Sequence, residues 1–167
     1  MLRLSAYGLT DEQARLTPSA SELSIGGLIK HVAAVEEHWI DVVLKRQAPF
    51  DPSGDWSANF GLIADETLAG ALDRYTRTAS ATNDVIAGIA DLGQPVPVPH
   101  DRPWFPADLE AWSVRWVLLH LITETARHAG HADIVRESID GASAFPLMAA
   151  AEGWPDSPWI KPWSPPA

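Results

Sequence analysis

Residues that could bind a metal ion recur at helical spacing in the stretch VLLHLITETARHAGHADIVRE, residues 117–137. They are His120, Glu124, His128 and His131. Steps of four, four and three residues, at about 100° per residue, leave all of them on one stripe of a helix. The chain has six histidines, and three of them lie on this stripe. An imidazole or a carboxylate costs free energy to bury unless something binds it, so the stripe predicts a metal site.

A second helix could contribute a further ligand. His31 and His38 lie seven residues apart in the segment 25–46, whose apolar residues recur at helical spacing, so both occupy one face. Metal sites in helical bundles combine inward-facing side chains of facing helices, and an i, i+4 pair such as Glu124 and His128 supplies two neighbouring ligands. A third ligand from the other helix would leave positions open for water or substrate. Two ordinary alternatives compete: a Glu–His pair on a helix is most often a surface pair, and His38 fits a half-buried packing residue.

Composition excludes several other classes of function. The 167 residues, with 46% hydrophobic and 20% charged residues, are typical of a single globular domain spanning 1–167. A net charge of −10 argues against nucleic acid or an anionic membrane as partner. The absence of cysteine leaves His, Asp and Glu as metal ligands, and any thiol chemistry must use a thiol brought in by a substrate. With no apolar run long enough for a bilayer and no secretory signal pattern, we expect a cytoplasmic protein.

The pattern of caps and apolar residues predicts an all-α fold. Thr10 and Gln13 fit a capping box that starts a short helix. Ser24 fits the N-cap of the helix over residues 25–46, and a third helix is predicted over about 65–90. Ser113 should cap the longest helix, which ends at residue 140 before Gly141. No alternating pattern of a strand competes with these helices, so the chain is predicted to form a four-helix bundle.

The connections between the helices are long and rich in proline. The segments 47–59 and 92–112 are predicted to be crossover loops, the second of them extended. The tail, residues 142–167, is rich in proline and tryptophan. It is predicted to pack on the bundle as an extended strap, because tryptophan side chains need apolar surface to cover.

Other polar residues and one glycine have simpler interpretations. Glu37 and Arg136 are expected on the solvated sides of their helices, with Arg136 free to pair with Asp133 or Asp140. Gly130 lies inside the longest helix, where glycine costs about 1 kcal/mol relative to alanine. We therefore expect it to pack closely against another backbone.

Two segments carry a family resemblance. SIGGLIKHVAAVEEHW at residues 24–39, followed by RWVLLHLITETARHAGHADIVRESIDG at residues 115–141, resembles the DinB-like superfamily. Within this superfamily, the two segments resemble the DUF664 branch, which is related to the N-terminal domains of mycothiol-dependent maleylpyruvate isomerases. The tail stretch AFPLMAAAEGWPDSPWIKPW is similar to the same branch. The resemblance covers most of the chain from about Leu9 onward.

The resemblance implies a DinB-like four-helix bundle that holds a divalent ion, commonly zinc or nickel. Residue by residue, it implies His31, Glu124 and His128 as the metal ligands. His131 stands where related proteins often carry glutamine, near the site without being a ligand. Characterised members transfer thiols, using mycothiol, bacillithiol or glutathione. The family forms dimers, so the resemblance also implies a homodimer.

One departure concerns the N-terminal side of the bundle. Family members usually open with a long helix before the segment LTDEQ, and here only about eight residues precede it. We expect either a truncated start or a fourth bundle position filled in another way. The proline-rich tail or a second subunit could fill it.

The sequence therefore leads to a functional hypothesis with two alternatives. The hypothesis is a divalent-metal-dependent thiol S-transferase acting on a small electrophilic substrate, with His131 or His120 as a catalytic proton shuttle. One alternative is a metal-dependent hydrolase, in which bound water is the nucleophile. The other is a non-enzymatic metal-binding or stress-related protein with a structural ion. A fourth side chain at the ion, such as His38 or His120, would favour a structural site.

Overall fold

The computed structural model describes residues 1–46, 48–51 and 57–165. Five α-helices make up about half of the described chain, which also contains one small two-stranded sheet and two 3₁₀ turns. The helices are α1 (Asp11–Arg15), α2 (Ile25–Val43), α3 (Leu68–Ala87), α4 (Val114–Asp140) and α5 (Ala144–Ala151). The strands are β1 (Pro95–Pro97) and β2 (Ala111–Ser113), and the 3₁₀ turns cover Leu4–Ala6 and Ser57–Phe60. The predicted helical bundle is confirmed.

The helix starts follow the predicted caps. Thr10 Oγ1 accepts a hydrogen bond from the Gln13 backbone N–H at 3.2 Å, and Gln13 Oε1 accepts one from the Thr10 N–H at 3.0 Å, which completes the capping box. The hydroxyls of Ser24 and Ser113 cap α2 and α4 by accepting hydrogen bonds from the backbone N–H groups of Gly27 and Trp116. Gly141 ends α4 with a φ of 75°, the left-handed conformation that favours glycine.

Three helix boundaries and one connection differ from the sequence prediction. Helix α2 ends at Val43 rather than near residue 46. Just past this end, Lys45 has a positive φ of 57°. Helix α3 begins later than predicted because Thr67 acts as its N-cap, and it ends earlier, with Gly88 as its C-cap. The segment 92–112 contains β1 and all but the last residue of β2, and the two strands pair antiparallel with Val96 opposite Trp112. Three-residue strands are too short to show an alternating pattern, which explains why the sequence did not reveal them.

The tail is only partly the extended strap that was predicted. It contains α5, which tolerates Pro146 because proline in the first turn removes no intrahelical hydrogen bond. Beyond α5, Trp163 packs edge-on against Tyr7 at 6.0 Å between ring centroids. Trp159 covers little apolar surface, since it is 91% exposed. In the predicted loop 47–59, positions 47 and 52–56 lie outside the described residues, and Trp56 is among them.

Helix α2 is the central element, because it packs against α3, α4 and the 57–60 turn. Two apolar clusters hold it there. The first contains Leu28 and Val32 of α2 with Ala132 and Val135 of α4, and the second contains Trp39 and Val42 of α2 with Trp112, Val114 and Val117. The N-terminal part of α2 thus meets the C-terminal part of α4, so the two helices run antiparallel. The middle of both helices lies between the clusters.

A groove of about 920 Å³ separates α3 from α4. Tyr75 and Ile86 line it from α3, and Leu121, Ile122 and Ala126 line it from α4. Among the described residues, none of the tail lines this groove, so the prediction that the tail could fill the fourth bundle position is wrong. A second subunit at this position stays a prediction. In the described part of the chain, no helix has both the length and the hydropathy that crossing a membrane requires.

Two glycines of the long helices differ in what surrounds them. A Cβ added to Gly27 would overlap the backbone carbonyl group of Phe60, so α2 and the 57–60 turn approach each other backbone to backbone. A Cβ added to Gly130 would meet no atom of another described element within 4 Å. The expected close packing at Gly130 is therefore wrong, and the close approach lies at Gly27 instead.

The two glycines should respond to alanine in opposite directions. Gly27→Ala is expected to lower the free energy of unfolding by roughly 1–3 kcal/mol, because a backbone carbonyl cannot move aside as a flexible side chain can. Gly130→Ala is expected to raise it by roughly 0.5–1 kcal/mol, because alanine favours a helix over glycine. Urea unfolding followed by circular dichroism measures both changes. A destabilised Gly130→Ala variant, or an unchanged Gly27→Ala variant, would contradict this assignment.

Candidate metal centre

The structure brings His31 of α2 together with Glu124 and His128 of α4. One ligand atom from each of these residues lies within 4.8 Å of the others. His128 Nε2 is 3.4 Å from Glu124 Oε2, and the imidazole rings of His31 and His128 meet edge-on at 4.7 Å between centroids. Neither His38 nor His120 joins this group among the described residues.

Each side chain is positioned by ordinary packing. The i, i+4 spacing on α4 makes Glu124 and His128 neighbours on one face, and the antiparallel crossing of α2 brings His31 opposite them. Phe60 stacks on the His31 ring at 4.2 Å between centroids, with 22° between the planes. The 57–60 turn that carries Phe60 sits close to α2 because residue 27 is glycine. Nothing in the sequence indicated this role of Phe60, which lies next to a predicted loop.

The electrostatics of the site favour neutral imidazoles. Burial lowers the pKa of His31, the nearby His128 lowers it further, and Glu124 opposes the shift. Burial also lowers the pKa of His128, against the opposing effect of Glu124. Near neutral pH both rings are therefore uncharged, and the contact between His128 and Glu124 is not an ion pair. A neutral imidazole has the free lone pair that a metal ligand needs.

The donor set fits a divalent ion such as zinc. Two imidazole nitrogens and one carboxylate oxygen are a set found in catalytic zinc sites, which keep a further position open for water or substrate. Zinc bonds of about 2.1 Å in a tetrahedral site place neighbouring ligand atoms about 3.4 Å apart. The distance between His128 Nε2 and Glu124 Oε2 is 3.4 Å.

A cavity of about 460 Å³ opens beside the three residues. His31 and Glu124 form part of its wall, and the rest is largely aromatic and apolar. The other lining residues are Ala34, Val35, His38, Trp39, Asn59, Phe60, Arg102, Trp104, Phe105 and His120. A small molecule in this cavity would be in contact with the two helices that carry the candidate ligands.

The four residues of the stripe on α4 separate into different environments. His131 Nδ1 is 3.5 Å from His128 Nδ1, on the side of that ring away from Glu124. His120 lines the cavity, stacks on Trp116 at 5.2 Å between ring centroids, and meets Trp39 edge-on at 4.7 Å. The predicted proton-handling residues therefore lie on opposite sides of the candidate ligands.

Two further histidines have different surroundings. His38 is half-buried, as expected of a packing residue, but it also lines the cavity. Its pKa is lowered, first by burial and then by the charge of Arg102. His100 is exposed in its loop.

An aromatic cluster behind the cavity was not anticipated. Trp112, Trp116 and His120 stack in sequence, with ring centroids 4.8 Å and 5.2 Å apart and planes within 7° and 5° of parallel. Trp39 and Phe105 close the cluster at 5.7 Å. The four-residue spacing from Trp116 to His120 on α4 was a usable signal in the sequence, whereas Trp112 precedes this helix, in β2. No signal in the sequence indicated Phe105, because it lies in the proline-rich connection.

Comparisons with known proteins agree with this fold. A crystal structure of a conserved protein from Enterococcus faecalis is similar with a TM-score of 0.62 at 16% sequence identity, covering 83% of this chain and 88% of that chain. At this identity the likeness supports the fold alone. No curated protein matches the chain. The family model described as mycothiol-S-transferase matches residues 1–141, which confirms the DinB-like resemblance and the expected class of activity, thiol S-transfer. Because this family model matches most of the chain, the chain belongs to the mycothiol-S-transferase family.

Proposed function

We propose that this protein is a divalent-metal-dependent enzyme that transfers a low-molecular-weight thiol, mycothiol, to a small electrophilic substrate. His31, Glu124 and His128 would hold the ion, with zinc or nickel as the expected metals. One observation carries the proposal: three ligand atoms lie within 4.8 Å of one another, and two of the three residues line a cavity, in a chain of the mycothiol-S-transferase family.

The bound ion would supply a Lewis acid that favours the deprotonated form of a thiol. In the transfer, the S–H bond breaks, a bond forms between sulfur and the electrophilic carbon, and the leaving group departs with its electron pair. The sulfur comes from the cosubstrate, because the protein has no cysteine. The protein's own side chains must bind the reactants, exclude water and take up the thiol proton.

His120 is the side chain best placed to take up that proton. It lines the cavity one helical turn before Glu124, so its ring faces the space in which a substrate would lie. An imidazole can accept and return a proton near neutral pH. The rings of Trp39 and Trp116 pack against it and limit its rotation.

His131 has a different proposed role, that of positioning His128. If His128 uses Nε2 toward the ion, its Nδ1 must carry the hydrogen, and His131 Nδ1 lies 3.5 Å away as the acceptor. Such partners of a ligating histidine fix its tautomer and its orientation. The geometry thus favours His120 over His131 for proton transfer.

Metal analysis followed by a panel of thiols tests the proposal. We expect about one divalent ion per chain and turnover of monochlorobimane with mycothiol, lost on treatment with a chelator. Bacillithiol and glutathione serve as the comparison thiols. Stoichiometric metal without thiol-dependent turnover would contradict transfer and would favour a metal-dependent hydrolase or a non-enzymatic metal-binding protein. Protein that retains no divalent ion would overturn the scheme.

A further inference from the structure

The residues that line the cavity beside His31 and Glu124 indicate which class of second substrate it binds. We propose that it binds the electrophile, and that it selects a planar, uncharged molecule with an aromatic or conjugated ring. The proposal rests on the proposed function for the chemistry that follows binding, but the binding itself depends only on the shape and the chemistry of the cavity.

Flat aromatic side chains form the walls. Trp39 and Phe105 lie 5.7 Å apart between ring centroids, at the inner end of the cavity. Phe60 lies over His31, next to the candidate ligands. Aromatic rings prefer stacked or edge-to-face contact with other rings, at centroid separations of about 4.5–7 Å. A planar ligand can make such contacts on several sides, whereas a small aliphatic ligand cannot.

The cationic group in the wall already has partners. Arg102 is 6% exposed, and its Nη1 donates to the Asp101 carboxylate while its Nη2 donates to the Ala48 carbonyl at 2.9 Å. The bond to Ala48, together with the one that the Phe50 N–H donates to Asp101 at 2.8 Å, ties the loop that carries Phe105 to residues 48–50, and the Asp101 carboxylate compensates the guanidinium charge. His38 beside it is kept neutral, because burial lowers its pKa. Apart from Glu124, a candidate metal ligand, the residues that line the cavity therefore offer little to a charged ligand.

The position of the cavity suits an electrophile. His31 and Glu124 belong to its wall, so a bound ring would lie against the candidate ligands where a thiol would be activated. Trp104, packed against Phe105 at 6.0 Å between ring centroids, is more than half exposed at the mouth. A ligand entering from solvent would pass this aromatic rim before it reaches the inner wall.

Steady-state kinetics with two electrophiles tests the selectivity. The zinc-loaded full chain with saturating mycothiol is compared as wild type and as Phe105→Ala, using 1-chloro-2,4-dinitrobenzene and iodoacetamide. We expect KM for the planar compound to rise about tenfold in the variant, with a much smaller change in kcat/KM for iodoacetamide. Phe145→Ala, which removes an exposed ring on α5, is the matched control and should alter neither. An unchanged KM for the planar compound, or an equal loss with both electrophiles, would overturn the proposal.

An equilibrium measurement separates this proposal from the proposed function. Without any thiol, 1,3-dinitrobenzene should bind the wild-type chain saturably, as followed by quenching of tryptophan fluorescence, and about tenfold more weakly to Phe105→Ala. Phe105→Leu, which keeps apolar volume, guards against a folding defect and should also bind more weakly. Binding without thiol-dependent turnover would support the cavity and contradict the transferase. No saturable binding, or the same affinity in all variants, would overturn the cavity proposal even if turnover occurs.

Discussion

His128→Ala is expected to remove stoichiometric metal binding and to lower thiol-dependent turnover by a factor on the order of 10³. The variant loses one of three candidate ligands and leaves Glu124 and His31 too few to retain the ion. Metal catalysis contributes several kcal/mol to a barrier, and each 1.36 kcal/mol changes a rate tenfold. Elemental analysis of the purified variant and initial rates with mycothiol measure the two effects.

Two other histidine variants are compared with His128→Ala. His131→Ala keeps all three ligands but removes the partner of His128 Nδ1, so we expect metal affinity to fall about 10–100-fold while the stoichiometry at saturating metal is kept. His100→Ala removes an exposed imidazole outside the site and should change neither quantity. If His128→Ala retained the ion with wild-type affinity, the proposed ligand set would be wrong.

Arg136→Met is expected to lower the free energy of unfolding by about 3–5 kcal/mol. Arg136 was predicted to be solvated, but it is fully buried, with an exposed fraction of 0%. Its Nε and Nη2 each donate to the Asp140 carboxylate at 2.9 Å. Its Nη1 donates to the carbonyls of Ser5 at 2.7 Å and Tyr7 at 2.8 Å, and its guanidinium lies 4.8 Å from the ring centroid of Trp163. One side chain thus joins α4, the N-terminal turn and the tail.

The expected loss in the free energy of unfolding is large because the buried partners of Arg136 remain in the variant. Methionine keeps much of the apolar stem but leaves the carboxylate of Asp140, 4% exposed, without its counterion, and two carbonyls without their donor. Urea unfolding measures the change, and Arg115→Met, at an exposed position on the same helix, is the control. The double variant Arg136→Met with Asp140→Asn should recover part of the loss, because the buried charge is gone. A loss below about 1 kcal/mol would mean that the network does not stabilise the fold.

Much of the secondary structure could be predicted because its signals are local. The caps at Thr10, Ser24 and Ser113 and the left-handed Gly141 each depend on residues within one turn of the chain. Helix α5 was not predicted, since it lies in a proline-rich segment. The short hairpin was not predicted, since three-residue strands are too short to show an alternating pattern. The Gly27 contact and the burial of Arg136 were also missed. Both depend on partners that are distant in the sequence.

The sequence by itself determined that His120, Glu124, His128 and His131 share one stripe of a helix, because helical periodicity places them there. The family resemblance implied which of them join His31. Only the tertiary structure brings the three residues within reach of one ion, because that requires α2 to cross α4 between two apolar clusters. The same packing separates His120, on the cavity, from His131, behind His128. It also supplies Phe60 and Phe105 from distant segments, since a cavity wall is a property of packed surfaces that local periodicity does not encode.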